Sequence, residues 1–154
     1  MSNVSIRDLG IAYGKTSILE GLNLDIQAGE FIVLLGPSGC GKSTLLHSIA
    51  GLIDVTTGQI EIGGTDVTWA DPKDRGIGMV FQSYALYPTM TVERNLSFGL
   101  RISGMAKPEI AKRVDNAARM LQLTELLNRK PSQLSGGQRQ RVAIGRALVR
   151  EAKV

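Results

Sequence analysis

Apolar and polar residues alternate at period two through Val4-Ser-Ile-Arg7 and Leu22-Asn-Leu-Asp-Ile26. Both segments are therefore expected as strands with one solvated face. Ala28-Gly-Glu30 turns the chain into an unbroken apolar run, Phe31-Ile-Val-Leu-Leu35, which reads as a strand buried on both faces. Gln59-Ile-Glu-Ile62, a Gly63-Gly64 turn and Ile77-Gly-Met-Val-Phe81 add further strand-like stretches. The period becomes helical in Leu45-Leu-His-Ser-Ile-Ala-Gly51 and again behind Pro108, where Ile110, Val114, Ala117 and Leu121 keep one face. Thr124 is placed to cap a short helix before Pro131. From Gln138 to Arg150, Val142, Ala143, Ala147 and Leu148 form one stripe and arginines occupy the rest. Mixed parallel and antiparallel strands with helices imply an α/β core carrying a β addition. The chain shows no internal repeat and no low-complexity segment.

Between the apolar run and the first helical segment lies Gly36-Pro-Ser-Gly-Cys-Gly-Lys-Ser-Thr44. Strand, glycine-rich loop and helix in that order make a phosphate-binding loop. Gly36, Gly39 and Gly41 let the backbone turn with its N–H groups inward. The helix start adds a partial positive charge, Lys42 a full one, and the Ser43 hydroxyl is left for Mg²⁺.

Composition narrows the setting. The 154 residues fit one domain, with 43% hydrophobic and 21% charged residues, ordinary for a soluble globular protein. No apolar stretch is long enough for a membrane span, and Met1-Ser-Asn-Val-Ser-Ile-Arg7 has no signal region, so a cytoplasmic protein is expected. A single cysteine excludes an internal disulfide framework. That residue, Cys40, sits in the phosphate loop without a basic partner that would make it a nucleophile. The net charge of +4 is modest, and Arg139, Arg141, Arg146 and Arg150 read as a solvated helix face. No aromatic residues interleave them, so no nucleic-acid partner is expected.

A second helix start lies at Leu134-Ser-Gly-Gly-Gln138, followed by Arg-Gln-Arg-Val-Ala-Ile-Gly-Arg-Ala-Leu148. This resembles the signature motif of ATP-binding-cassette (ABC) ATPases. The phosphate loop about a hundred residues upstream and Gln82, after Ile77–Phe81, fall in that family's order and spacing. The resemblance covers essentially the whole chain. It implies a P-loop NTPase fold of class α/β, an ABC nucleotide-binding domain with an antiparallel β subdomain and a helical signature subdomain. Residues 1–91 would form the β subdomain with the phosphate-loop core, 92–134 the helical subdomain, and 135–154 the signature motif and its helix. It further implies that ATP is held by Tyr13, stacking on adenine, and by Gly36, Pro37, Ser38, Gly39, Cys40, Gly41, Lys42, Ser43 and Thr44. Ser43 and Gln82 would complete the Mg²⁺ shell. Ser135, Gly137 and Gln138 would act, with Lys42 and Gln82, in hydrolysis, but on the nucleotide of a second subunit in a head-to-tail dimer.

Within the family, residues 76–92 (Gly-Ile-Gly-Met-Val-Phe-Gln-Ser-Tyr-Ala-Leu-Tyr-Pro-Thr-Met-Thr-Val) resemble the carbohydrate importers serving maltose, other oligosaccharides and glycerol phosphate. Ser83–Pro88 would then receive a helix of the membrane-spanning partner, with the subunit peripheral on the inner face of the cell membrane. Polyamine and iron importers carry similar stretches, and a soluble cassette ATPase or an inactive nucleotide-binding remnant are alternatives from other classes. The sequence stops at Glu151-Ala-Lys-Val154, where the family continues into an apolar strand ending in Asp-Glu and, later, a switch histidine. The expectation is a partial sequence, lacking the C-terminal part of the core, that binds ATP better than it turns it over. His47, the only histidine, reads as a partly exposed residue of the first helix.

Overall fold

A computed structural model describes all residues, Met1–Val154. It contains strands β1 (Val4–Tyr13), β2 (Thr16–Ile26), β3 (Thr57–Ile62) and β4 (Thr65–Asp66), and helices α1 (Lys42–Ile49), α2 (Val92–Ile102), α3 (Lys107–Met120) and α4 (Gly136–Leu148). The chain divides into two compact units, one of residues 1–77 with 153–154 and the other of residues 78–152. Residues 78–91, expected with the β subdomain, thus pack in the second unit, as do residues 135–152. No helix is long and apolar enough to cross a membrane.

The first unit is an antiparallel sheet in the order β2-β1-β3-β4, with α1 against it. Its alternation is reset once. Val4 and Ile6 are buried, then Leu9 and Ile11, a shift of phase that needs a bulge. The bulge falls between Ile6 and Leu9, where Asp8 is left-handed at φ 46°. The Asn23 amide holds it, accepting from the Asp8 N–H and donating to the Asp8 carboxylate, both at 3.1 Å. Opposite, Gly58 of β3 crosses the bulge with φ 87°, and a β-carbon there would run into the carbonyl oxygens of Arg7 and Asp8. With the bulge in place, Ile60 and Ile62 of β3, Leu45 of α1, Val55 and Val67 join β1 in one apolar core. Across the exposed face Arg7 pairs with Asp25 at 2.6 Å. That bond and one from the Ser5 hydroxyl keep the Asp25 carboxyl below the usual carboxylate range.

Two expected strands do not form. Phe31–Leu35 takes part in no ladder, and Phe31, Val33 and Leu35 are 88, 60 and 88% exposed. Ile77–Phe81 is likewise outside any strand. A strand exists only by pairing, and neither segment pairs with any of β1 to β4. An apolar run signals burial, but the partner must come from elsewhere in the chain. Only Leu34 and Ile77 of these segments pack on the sheet's core, so the observed sheet is wholly antiparallel rather than mixed.

The second unit is helical. Val92, Leu96 and Leu100 of α2, Ile110, Val114, Ala117 and Ala118 of α3, and Val142 of α4 share a core with Leu123, Leu126, Leu134 and Val149. Pro108 opens α3 as expected, and Leu121 lies half-buried at its end. Thr124 begins a 3-10 turn, Thr124–Leu126, rather than capping it; Leu123, its side chain fully buried, holds the cap position. In α4 the buried stripe is Val142, Ala143 and Gly145, continued by Val149, while Leu148 is 44% exposed. Gly145 is there because a β-carbon would lie 2.6 Å from Leu96. Arg113 ties α3 to the chain after α4, bonding Glu109 and Glu151, each at 2.9 Å, and the Val149 carbonyl at 3.3 Å.

Gly58→Ala should lower the stability of the sheet unit by about 2 kcal/mol or more, since alanine meets both a left-handed φ and two backbone oxygens. Chemical denaturation would measure it, with Gly64→Ala as control. That turn glycine has a left-handed φ but nothing within 4 Å of its would-be β-carbon, so it should cost less.

Candidate functional site: a phosphate loop and a glycine-rich helix start

The phosphate loop follows Leu35 and ends on Gly41, which takes the N-cap of α1 at φ 91°. A left-handed cap against β2 leaves room only for glycine: a β-carbon would sit 2.9 Å from Leu19 and 3.4 Å from the Ile18 carbonyl. The first intrahelical bond runs from the Leu45 N–H to the Gly41 carbonyl at 2.8 Å. The amides of Lys42, Ser43 and Thr44 therefore precede every intrahelical acceptor and face the loop side of the helix. The Lys42 ammonium folds over the loop, donating to the carbonyls of Gly36 at 2.8 Å and Pro37 at 2.7 Å and to Cys40 Sγ at 3.3 Å. Three donors of one cation are thus collected at one end of a helix whose amides point the same way. Pro37, Ser38, Gly39, Cys40 and Ser43 are all exposed there.

The same unit carries Tyr13. It ends β1, is 54% exposed and pairs with Thr16, where β2 begins. Since Ile18 and Leu19 of β2 pack on Gly41, the hairpin bearing Tyr13 and the phosphate loop occupy one region of the sheet unit. His47 is half-buried near the end of α1, as expected of a helix residue.

Arg75 is the residue that sequence reading passed over. It is 5% exposed, and its guanidinium donates to four main-chain carbonyls: Ser48 at 2.8 Å, Ile49 at 3.1 Å, Thr68 at 2.9 Å and Ala70 at 3.0 Å. Two of these are the terminal carbonyls of α1, so a buried cation sits on the negative end of the helix whose positive end meets the phosphate loop. Burial lowers the Arg75 pKa and the nearby Asp54 charge opposes that shift. Gly51, φ 75°, packs directly on the guanidinium. The only sequence signal was a glycine after a helix followed, two dozen residues later, by an arginine among polar residues.

The remaining candidates belong to the second unit. Ser135 caps α4: its Oγ accepts from the Gln138 N–H at 3.2 Å, and Gln138 Oε1 accepts in return from the Ser135 N–H at 2.8 Å. This reciprocal box fixes both side chains and leaves Gly136 and Gly137 exposed, with no atom within 4 Å of their would-be β-carbons. Gln82 is exposed in the segment ahead of α2. The arginines of α4 are not simply a solvated face. Arg141 donates to the Leu121 carbonyl at 3.0 Å, and Arg146 binds the Ala85 carbonyl and lies 5.1 Å from the Tyr87 ring centroid. A guanidinium on a thin helical layer can reach carbonyls that a side chain drawn on a helical wheel does not show.

Arg75→Met removes the donor from four carbonyls while keeping much of the volume, and should destabilise the sheet unit by about 3 to 5 kcal/mol. Urea unfolding would measure this. Arg75→Lys, with one ammonium in place of the planar fork, should recover only part of the loss.

The ABC transporter family model matches residues 19–154. Among similar proteins, the lactose transport ATP-binding protein LacK of Rhizobium radiobacter is 56% identical over all of this chain and 42% of its own length. The maltose/maltodextrin import ATP-binding protein MalK of Mannheimia succiniciproducens is 57% identical over all of this chain and 41% of its own. The sn-glycerol-3-phosphate import ATP-binding protein UgpC of Escherichia coli is 62% identical over 92% of this chain and 40% of its own. The chain thus spans about two fifths of the length of the curated relatives it matches. The solved dimer of MJ0796, a bacterial ABC transporter cassette, superposes with a TM-score of 0.86 at 35% identity, covering 97% of this chain and 70% of that one. A phosphate loop on an antiparallel sheet, a helical unit with a glycine-rich capped start, and a family match over most of the sequence lead to one conclusion: this chain belongs to the ABC transporter family.

Proposed function

We propose that the chain is the nucleotide-binding part of an ATP-hydrolysing subunit that energises membrane import of a carbohydrate or a related solute such as glycerol phosphate. The observation that carries the nucleotide assignment is the Lys42 ammonium, held over a glycine loop at the amide end of α1. Triphosphate binding needs negative charge neutralised and phosphate oxygens fixed. The amides of residues 39–44 and Lys42 supply both, the lysine exchanging its bonds to the Gly36 and Pro37 carbonyls for charged oxygens. Each charge-assisted bond contributes about 1.5 to 3 kcal/mol, so a handful reaches micromolar affinity, about 8 kcal/mol. Tyr13, exposed at the end of its hairpin, offers a ring face to the base.

Ser43 and Gln82 are exposed neutral oxygen donors, the type that Mg²⁺ accepts beside phosphate. When bound, the ion neutralises charge on the phosphate oxygens. The glycine-flanked start of α4 is an anion-facing helix end whose cap is already made by Ser135 and Gln138. We assign Ser135, Gly137 and Gln138 to the nucleotide held by a second copy, in keeping with the dimeric cassette of similar fold. The residues assigned here bind and orient; none of them is a proton acceptor for attacking water. The import reading is supported by relatives named for lactose transport, maltodextrin import and glycerol-phosphate import. Ser83–Pro88 is the segment we assign to contact with membrane-spanning subunits, and the subunit would lie peripherally on the cytoplasmic face.

Lys42→Ala should weaken nucleotide binding by about 2 to 4 kcal/mol, roughly thirty- to a thousand-fold. Titration with a fluorescent ATP analogue measures it, and near-equal affinities would remove the assignment. In the full-length protein, Gly137→Ala should leave binding to one subunit nearly intact and suppress hydrolysis. Mixing that variant with Lys42→Ala subunits assembles one site with both defects and one with neither. Residual hydrolysis in the mixture, against none in either variant alone, is the outcome expected if α4 serves the partner's nucleotide.

A further inference from the structure

Tyr84 and Ala85 are both left-handed, at φ 65° and 48°, the only adjacent non-glycine residues in that region of backbone space. In that conformation the β-carbon crowds the following carbonyl, and two in succession persist only where the surroundings hold them. On the upstream side the turn is closed by the Tyr84 N–H on the Phe81 carbonyl at 2.9 Å. Downstream it is anchored by Asn95 of α2, which is 1% exposed. Asn95 accepts from the Tyr87 N–H at 2.9 Å and donates to the carbonyls of Tyr87, Met90 and Thr91 at 3.0 to 3.1 Å. Neither anchor bonds Ala85. Arg146 of α4 does so: its Nη1 donates to the Ala85 carbonyl, and its guanidinium lies over the Tyr87 ring, which packs on Phe98 with centroids 4.5 Å apart.

We propose that Arg146 is the positioning residue that latches the left-handed Tyr84–Ala85 turn, so that α4 ties the shape of this turn to the position of its own Ser135–Gln138 end. The helix suits that task. It is capped at Ser135 by a reciprocal box, and Gly145, beside Arg146, seats it directly on Leu96 of α2. About eleven residues separate cap and latch, roughly 16 Å of helix. A displacement at the glycine-rich end is thereby carried to the turn, and a load on the turn is carried back. The latch itself needs no partner. Its consequence for coupling rests on the reading of Ser83–Pro88 as the surface that meets membrane subunits.

The test uses the full-length chain and hydrogen exchange of the amides of residues 83–87. Arg146→Met should speed exchange there about ten-fold or more while α3 amides stay within two-fold. Adding Ala85→Gly should slow it again, recovering at least half of the change on a logarithmic scale, because glycine takes the left-handed turn without being held. A residue that merely packs α4 would not be rescued by a change in backbone freedom at position 85. Unchanged exchange in Arg146→Met, or no recovery with glycine, overturns the latch. Should Arg146→Met not fold, Arg146→Lys, which keeps a donor but loses the planar face over Tyr87, gives the same comparison at smaller amplitude. In the assembled transporter, Arg146→Met should cut solute-stimulated hydrolysis at least five-fold with basal hydrolysis of the free subunit within two-fold. Stimulation that survives intact overturns the coupling role. A photocrosslinker at Leu86 that fails to reach a membrane subunit in the parent protein would instead remove the partner assignment, leaving the exchange results standing.

Discussion

An eight-residue helix is too short to persist on its own, and the candidate nucleotide site is built on one. Everything in the sheet unit that bears on the site serves to hold the two ends of α1. At the start, Gly41 adopts a left-handed cap pressed on Ile18 and Leu19 of β2. At the finish, the Arg75 guanidinium collects the Ser48 and Ile49 carbonyls together with those of Thr68 and Ala70. Between them Leu45 enters the core of β1 and β3. The helix dipole is thus fixed in direction, with its amide end and Lys42 presented to one place. The bulge at Asp8 belongs to the same scheme, because without the change of phase Leu9 and Ile11 would turn away from the core that α1 caps.

The helical unit solves a related problem with different chemistry. Three helices around Leu96 and Val142 leave connecting segments whose carbonyls must be satisfied, and long polar side chains do that work. Asn95 serves the segment before α2, Arg113 the chain after α4, Arg141 the end of α3 and Arg146 the turn at Ala85. These oxygens are part-buried or exposed, and the guanidinium groups reach theirs from a neighbouring element of the unit. The basic character of α4 is therefore in part architectural. Arg139 and Arg150 remain exposed, and the helix keeps a polar outer surface as well.

Lys42 shows how binding and structure share groups. Its ammonium is satisfied by the loop's own carbonyls and by Cys40 Sγ, so the loop holds its shape around the cation that is assigned to phosphate. Under the proposed function, exchange of those neutral acceptors for charged phosphate oxygens would strengthen each bond roughly two-fold. At the other candidate site, the Ser135–Gln138 box plays the same part, holding two exposed glycine amides in a helical start.

The elements legible in the sequence were those whose cause is local. Period-two alternation marked β1, β2 and β3, helical period and Pro108 marked α3, and the spacing of glycines with Lys42 marked a loop whose geometry follows from backbone freedom. Leu134-Ser-Gly-Gly-Gln138 marked a helix start, and only the structure shows Ser135 and Gln138 capping it with reciprocal bonds. What failed was whatever needed a partner distant in sequence. Phe31–Leu35 has the composition of a buried strand and yet forms none here, because composition states a preference for burial while a strand requires a neighbouring ladder. The stripe on α4 was misplaced by a residue or two, since Gly145 and Val149 are buried by the approach of Leu96 and the chain after α4, which no periodicity records. Arg75, Asn95 and Arg146 were invisible for the same reason. A polar side chain's role is set by the carbonyls that folding brings within its reach, and only the tertiary structure decides which those are.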